Sequence, residues 1–211
     1  MNYQEERDIL LRELGTEIDD KRVLAAMSRV PREEFVLARL RYASYEDRPL
    51  SIGHDQTISQ PMIIAIMTEA LELSGTDKVL EVGTGSGYQS AILAELVRHV
   101  VSVERIPTLS ATAGETLARL GYTNIELHIA EETLGWQRGA PYDAIIVTAG
   151  APQVPEELIE QLTDGGRMVI PVGQRHLQEL YKCRRRGDDT TTTRLGGCRF
   201  VSLIGKNAWK S

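Results

Sequence analysis

Apolar residues recur at helical spacing through the first forty positions: Ile9, Leu10 and Leu14, then Val23, Leu24 and Met27, then Phe35, Val36 and Leu40. The pattern predicts three short amphipathic helices, with Pro31 in the first turn of the third. Residues 48–60 lose that periodicity. They are rich in turn formers and polar groups and read as an ordered loop. Pro61 then opens a helix that carries Ile64, Ile66, Met67 and Leu71.

From Lys78 the pattern changes to short apolar runs separated by helical segments. Strands are predicted over 79–82, 100–103, 125–129, 144–148 and 167–172, and helices over 88–97, 108–120 and 155–162. Gly121 stands where a helix C-cap belongs. This alternation implies parallel β-α-β units and a sheet covered on both faces. Near the C-terminus, 177–185 and 194–204 flank Gly187-Asp188-Asp189 and read as an antiparallel hairpin. The expected architecture is a doubly wound α/β sheet with N-terminal helices and an antiparallel C-terminal edge. It forms one domain over 1–211, divided into a helical portion and loop (1–60), an α/β core (61–175) and closing strands (176–211).

Composition narrows the function. Hydrophobic residues make up 42% of the chain and aromatics only 5%, so the core must be aliphatic. A net charge of −6 gives no electrostatic footprint for nucleic acid. No apolar run reaches the roughly 20 residues needed to cross a bilayer. The charged stretch 1–12 does not resemble a signal peptide, and two cysteines make no disulfide framework. The expected location is the cytoplasm, with no membrane partner.

The chemistry concentrates in Val79-Leu80-Glu81-Val82-Gly83-Thr84-Gly85-Ser86-Gly87-Tyr88, a strand that runs through three glycines into a helix. Glycine allows the tight turn and the close approach of a ligand, and the helix N-terminus offers free N–H groups. Glu104 ends the next strand, where an acid accepts hydrogen bonds from the ribose hydroxyls of a nucleoside. The spacing is G-x-G-x-G, whereas dinucleotide sites use G-x-G-x-x-G. Glu81 would repel a pyrophosphate and attract a cationic amine or sulfonium. S-adenosylmethionine therefore suits the loop better than NAD; a glycine-rich turn without a ligand is the plain alternative. The turn Thr148-Ala149-Gly150 is expected to floor the cleft, beyond the carboxyl end of its strand.

Several motifs, in order along nearly the whole chain, resemble the protein-L-isoaspartate O-methyltransferases. They are Pro31-Arg32-Glu33-Glu34-Phe35-Val36, Gln56-Thr57-Ile58-Ser59-Gln60-Pro61, the glycine loop, Ser102-Val103-Glu104-Arg105-Ile106 and Gly165-Gly166-Arg167-Met168-Val169-Ile170-Pro171. The closing segment Arg199-Phe200-Val201, with Leu203, matches as well. The resemblance implies a Rossmann-like class I methyltransferase fold and S-adenosyl-L-methionine as donor, leaving S-adenosyl-L-homocysteine. The methyl acceptor it implies is the α-carboxylate of L-isoaspartyl residues in damaged proteins, the ester then closing to a succinimide. It makes Ser59 the catalytic residue. Thr57, Ile58, Ser59 itself, Glu81, Gly83, Thr84, Gly85, Glu104, Arg105, Glu131 and Glu132 become donor contacts, and Arg199, Phe200, Val201 and Leu203 substrate contacts. No metal is implied, and a monomer is expected.

The chain departs from the family at three places. Ala130-Glu131-Glu132 stands where Gly-Asp-Gly is usual, Ser202 replaces a proline, and Asp55 replaces a glycine. The acceptor carboxylate, with a pKa of roughly 3.5, is already ionised at neutral pH. No strong base is needed, and catalysis should come from positioning in a dry cleft. The rival readings are a same-fold enzyme dedicated to one peptide, a non-catalytic donor-binding protein and a nicotinamide-dependent oxidoreductase. The four histidines are scattered and lack metal-ligand spacing.

Overall fold

Two capped helices begin the chain in the computed structural model, which describes residues 2–210. Helix α1 (Tyr3–Leu14) buries Leu10 and Leu14, and α2 (Lys21–Arg29) buries Val23, Ala26 and Met27. Asp20 caps α2 by accepting the Arg22 N–H at 2.9 Å. The expected third helix is instead two 3-10 turns, Arg32–Phe35 and Ala38–Ala43, with Val36 extended between them. The reason is Arg32, whose side chain is fully buried and whose Nε donates to the Ser44 carbonyl at 2.8 Å. A straight helix would hold those two residues about 18 Å apart, so the chain must double back.

The predicted loop at 48–60 is also corrected. It contains an antiparallel hairpin, β1 (Leu50–Gly53) and β2 (Gln56–Ile58), with Leu50 opposite Ile58. His54 and Asp55 form its tip at φ of 53° and 57°, the left-handed pair that tight hairpins require. Helix α3 (Pro61–Ala70) follows, starting at the expected proline.

The main sheet has seven strands: β3 (Lys78–Val82), β4 (His99–Glu104), β5 (Ile125–Ile129), β6 (Tyr142–Val147), β7 (Leu162–Gln174), β8 (Leu177–Arg186) and β9 (Asp189–Cys198). Their spatial order is β5-β4-β3-β6-β7-β8-β9. Pairing is parallel from β5 to β7 and antiparallel beyond. Helices α4 (Tyr88–Ala94) and α5 (Pro107–Arg119) connect the first parallel strands. Gly121, just past α5, takes φ of 85° as a helix-ending glycine should. Strand β3 lies between β4 and β6, so the chain reverses its winding direction there, which is where doubly wound sheets bind ligands. Val79, Val100 and Ile146 bury one face of the sheet, and Leu80, Val101 and Ile145 the other. Each such side chain contributes about 1.5–3 kcal/mol on burial.

Two boundaries differ from expectation. The helix predicted over 155–162 shrinks to α6 (Glu156–Ile159), because Leu162 already pairs with Tyr142 as the first residue of β7. Strand β9 takes in the Thr190–Thr193 run and stops at Cys198, so 199–204 leaves the sheet. The Phe200 N–H donates to Gln178 Oε1 at 2.8 Å, and the segment then crosses to Gly150. There the Gly150 N–H donates to the Val201 carbonyl at 2.7 Å, and the Leu203 N–H donates back to Gly150 at 2.9 Å. Among the described residues, no helix is long and apolar enough to cross a membrane.

Arg167 ties the sheet to the chain before it. Its guanidinium pairs with Asp77 and donates to the carbonyls of Leu71, Glu72 and Asp143, with the side chains of Arg167 and Asp77 only 11% and 10% exposed. Arg167→Met strips a buried carboxylate of its charge partner, leaving it the Ser74 N–H, and takes a donor from three carbonyls. It should lower stability in urea unfolding by about 3–5 kcal/mol; a loss below about 1 kcal/mol would show that water replaces the guanidinium.

Candidate active site

The glycine loop leaves β3 and is fixed from two sides. On one side, the Gly83 and Thr84 N–H groups both donate to the Val103 carbonyl of β4, at 2.9 and 3.3 Å. On the other, Thr148, just past β6, donates its hydroxyl to the Gly83 carbonyl at 2.7 Å. Gly83 has φ of 103°, and a Cβ there would stand 2.3 Å from Thr148 Oγ1. Glycine is thus required both by the backbone conformation and by the close packing of Thr148. Thr148 was expected only as part of a floor; its role as a latch on the loop is visible only in three dimensions.

Glu104 closes the loop at the end of β4. Its Oε2 accepts the Gly85 N–H at 2.8 Å and its Oε1 the Ile106 N–H at 2.9 Å. The carboxylate is thereby held rigid, and each oxygen keeps a lone pair for a further donor such as a ribose hydroxyl. Backbone that approaches this closely, beside a fixed carboxylate, fits a nucleoside donor that carries no phosphate.

These groups line one cleft of about 1010 Å³, its open mouth included. The same cleft is lined by Thr57, Ile58 and Ser59 from β2 and the turn after it. Arg105, Glu131, Thr148 and Ala149 reach it too, as do Phe200, Val201, Ser202 and Leu203. Glu131 pairs with Arg138 at 2.7 Å. Among the described residues the Ser59 hydroxyl has no hydrogen-bond partner, which leaves it free to serve a ligand. The hairpin covers the loop, with Ile52 Cδ1 3.5 Å from where a Gly85 Cβ would stand. His54 lies away from the cleft wall, its Nε2 3.0 Å from Thr108 Oγ1 at the start of α5.

Glu132 and Arg199 are not among the lining residues. Arg199 falls outside because the segment turns at Phe200 to meet Gln178. Glu81 is also displaced from its expected place. It is fully buried behind the loop, where its Oε2 accepts hydroxyl hydrogen bonds from Ser90 and, at 2.6 Å, from Ser102. Ser102 in turn lies 2.6 Å from Thr84 Oγ1, so Glu81 supports the loop from below. Burial, aided by the charge of Glu104 and opposed by the two hydroxyls, pushes its pKa up to about 8. A carboxyl that is neutral at pH 7 cannot attract a cation, which removes the electrostatic role expected for it.

Two outcomes follow from this geometry. Gly83→Ala should weaken donor binding by at least about tenfold in calorimetry, through clash and backbone strain; unchanged affinity would mean that the loop relaxes freely. Glu81 releases its proton near pH 4.5 when unfolded but only near about 8 when folded. Its contribution to stability is therefore greatest at low pH and falls as pH rises between those values. Glu81→Gln should flatten that fall in urea midpoints measured from pH 5 to 8, and parallel curves for the two proteins would rule the linkage out.

Comparison with known proteins agrees with this geometry. Residues 5–208 match the family model for protein-L-isoaspartate(D-aspartate) O-methyltransferase. Protein-L-isoaspartate O-methyltransferase 1 of Syntrophobacter fumaroxidans is 50% identical over 100% of this chain and 99% of its own. The protein-L-isoaspartate O-methyltransferase of Methanoculleus marisnigri is 54% identical over 92% of this chain and 88% of its own. Among solved structures, a protein-L-isoaspartate O-methyltransferase superposes with a TM-score of 0.85 at 29% identity, over 96% of this chain and 67% of its own. A Plasmodium falciparum protein of the same description, in complex with S-adenosyl-L-homocysteine, gives 0.81 at 26% identity over 98% of this chain and 100% of its own. With the glycine loop, Glu104 and the Ser59 turn facing one cleft, the chain belongs to the protein-L-isoaspartate(D-aspartate) O-methyltransferase family.

Proposed function

We propose that this protein transfers the methyl group of S-adenosyl-L-methionine to the α-carboxylate of L-isoaspartyl residues in damaged proteins and so starts their repair. The observation that carries the reading is the single cleft. It joins a nucleoside cradle (Gly83, Thr84, Gly85, Glu104) to an unpartnered hydroxyl on Ser59 and a peptide-sized wall at Phe200–Leu203. Thr57, Ile58, Arg105 and Glu131 complete the donor side. The bound donor supplies an electrophilic methyl group on a sulfonium.

The chain's own residues act by positioning. The acceptor carboxylate arrives ionised, since its pKa of roughly 3.5 lies far below neutrality. Ser59 donates its hydroxyl hydrogen to one carboxylate oxygen and aims the other at the methyl carbon. The hairpin over Gly85 and the apolar wall at Phe200, Val201 and Leu203 exclude water, which would solvate the nucleophile. Holding the reactants in line in this way can supply roughly 7–11 kcal/mol of the barrier reduction. The neutral methyl ester is then open to attack by the following backbone nitrogen, which expels methanol and closes a succinimide.

The partners in this reading are isoaspartyl proteins and peptides, with neither nucleic acid nor membrane. Cys183 and Cys198 are both unpaired and buried, which accords with the reducing cytoplasm. The exposed edge strand β9 carries Asp189 and Arg194 and a bulge near Leu195, devices that discourage edge-to-edge pairing and support a monomer.

Labelled S-adenosyl-L-methionine with two matched peptides, one L-isoaspartyl and one L-aspartyl, tests the function. Label should enter the isoaspartyl peptide alone; label in neither, or equally in both, would overturn the reading. Ser59→Ala should lower kcat by about 10–100-fold, the loss of a hydrogen bond to a charged group. Its affinity for S-adenosyl-L-homocysteine should stay within about twofold; undiminished turnover would remove Ser59 from the mechanism.

A further inference from the structure

The turn that carries Ser59 is held by side chains from another part of the molecule. Gln60 occupies the N-cap of α3, and its side chain caps nothing there. Pro61 has no N–H to donate. The first helical N–H, that of Met62, donates to Asp47 Oδ1 at 2.8 Å, and Gln60 Nε2 donates to Asp47 Oδ2 at 2.7 Å. On the other side of the turn, the Ser59 carbonyl accepts Arg32 Nη2 at 2.7 Å. The same guanidinium holds the Ser44 carbonyl and lies over the Tyr88 ring, 4.9 Å from its centroid. Thus the four residues Ser59–Met62 are gripped at both ends by an acid and a base from the 32–47 segment, and neither Asp47 nor Arg32 lines the cleft.

We propose that Asp47 is a positioning residue for methyl transfer: it caps α3 in place of Gln60 and, with Arg32, sets the direction of the Ser59 hydroxyl. The inference rests on the role given to Ser59 above. Asp47 is exposed, whereas Arg32 is buried to the last atom. A change at Asp47 therefore tests the clamp without opening the core. Without Asp47 the Met62 N–H turns to water and Gln60 loses its anchor. The turn then swings about the remaining Arg32 contact. Donor binding, which depends on the glycine loop and Glu104, should change little. The cost falls on alignment and so on turnover, since a displacement of about 1 Å in a reacting group can cost roughly 100-fold.

A double-mutant cycle on the full-length protein tests this, with kcat and KM for an isoaspartyl peptide, calorimetric affinity for S-adenosyl-L-homocysteine, and thermal melting. Asp47→Ala should lower kcat roughly tenfold, with KM and affinity each within about twofold. Asp47→Asn, whose Oδ1 can still accept the Met62 N–H, should recover most of that loss even if the alanine variant melts early. In a Ser59→Ala background, Asp47→Ala should cost less than about twofold more. Full turnover in Asp47→Ala while Ser59→Ala is impaired overturns the clamp alone. An equal loss from Asp47→Ala in both backgrounds shows that it does not act through Ser59. Undiminished turnover in Ser59→Ala overturns both the clamp and the role of Ser59.

Discussion

Strand β3 is paired on both sides, and the cleft depends on that double pairing. Its parallel neighbours β4 and β6 end at the same edge of the sheet, which puts Val103, Glu104 and Thr148 within reach of the loop that β3 feeds. Backbone hydrogen bonds from Gly83 and Thr84 to Val103 and the Thr148 hydroxyl on Gly83 then leave the loop one shape. A free loop with three glycines would lose much conformational entropy on binding a ligand. Here that loss has already been met by folding, so the binding surface is preorganised.

The strongly periodic parts of the fold were legible in the sequence because one local rule governs each of them. Apolar runs alternating with helices gave the parallel strands, and the glycine spacing with Glu104 marked residues that the fold brings to one cleft. Family resemblance, not periodicity, singled out Ser59. What escaped was set by contacts between distant residues. The β1–β2 hairpin turns on His54-Asp55, which lacks the glycine or asparagine that marks such turns, yet both residues adopt the left-handed conformation. The 3-10 turns near Arg32 exist because its fork must reach Ser44 and Ser59. The path of 199–204 depends on Gln178. None of these partners lies within the helical or strand period from which the sequence was read.

Glu81 shows how placement can reverse the meaning of a residue. In sequence it is an acid two positions before a glycine loop, and an acid near a sulfonium suggests attraction. In the fold, the strand's alternation turns it to the face beneath the loop, where Ser90 and Ser102 bond one oxygen and leave Oε1 without a partner. A buried carboxyl with an unpaired oxygen favours its protonated form. Of the two acids that flank the loop, Glu104 is therefore the one that faces the cleft, and the polar chain Glu81–Ser102–Thr84 acts as a scaffold.

The bridge between Gly150 and Ser202 has a consequence for where the cleft can give way. Outside the seven-stranded sheet, Phe200, Val201 and Leu203 are tied to it through Gln178 and Gly150. A segment fastened at a few points opens at lower cost than a strand laddered along its whole length. Local opening at 200–204 therefore widens one side of the cleft and leaves Gly83, Gly85 and Glu104 in place on the other.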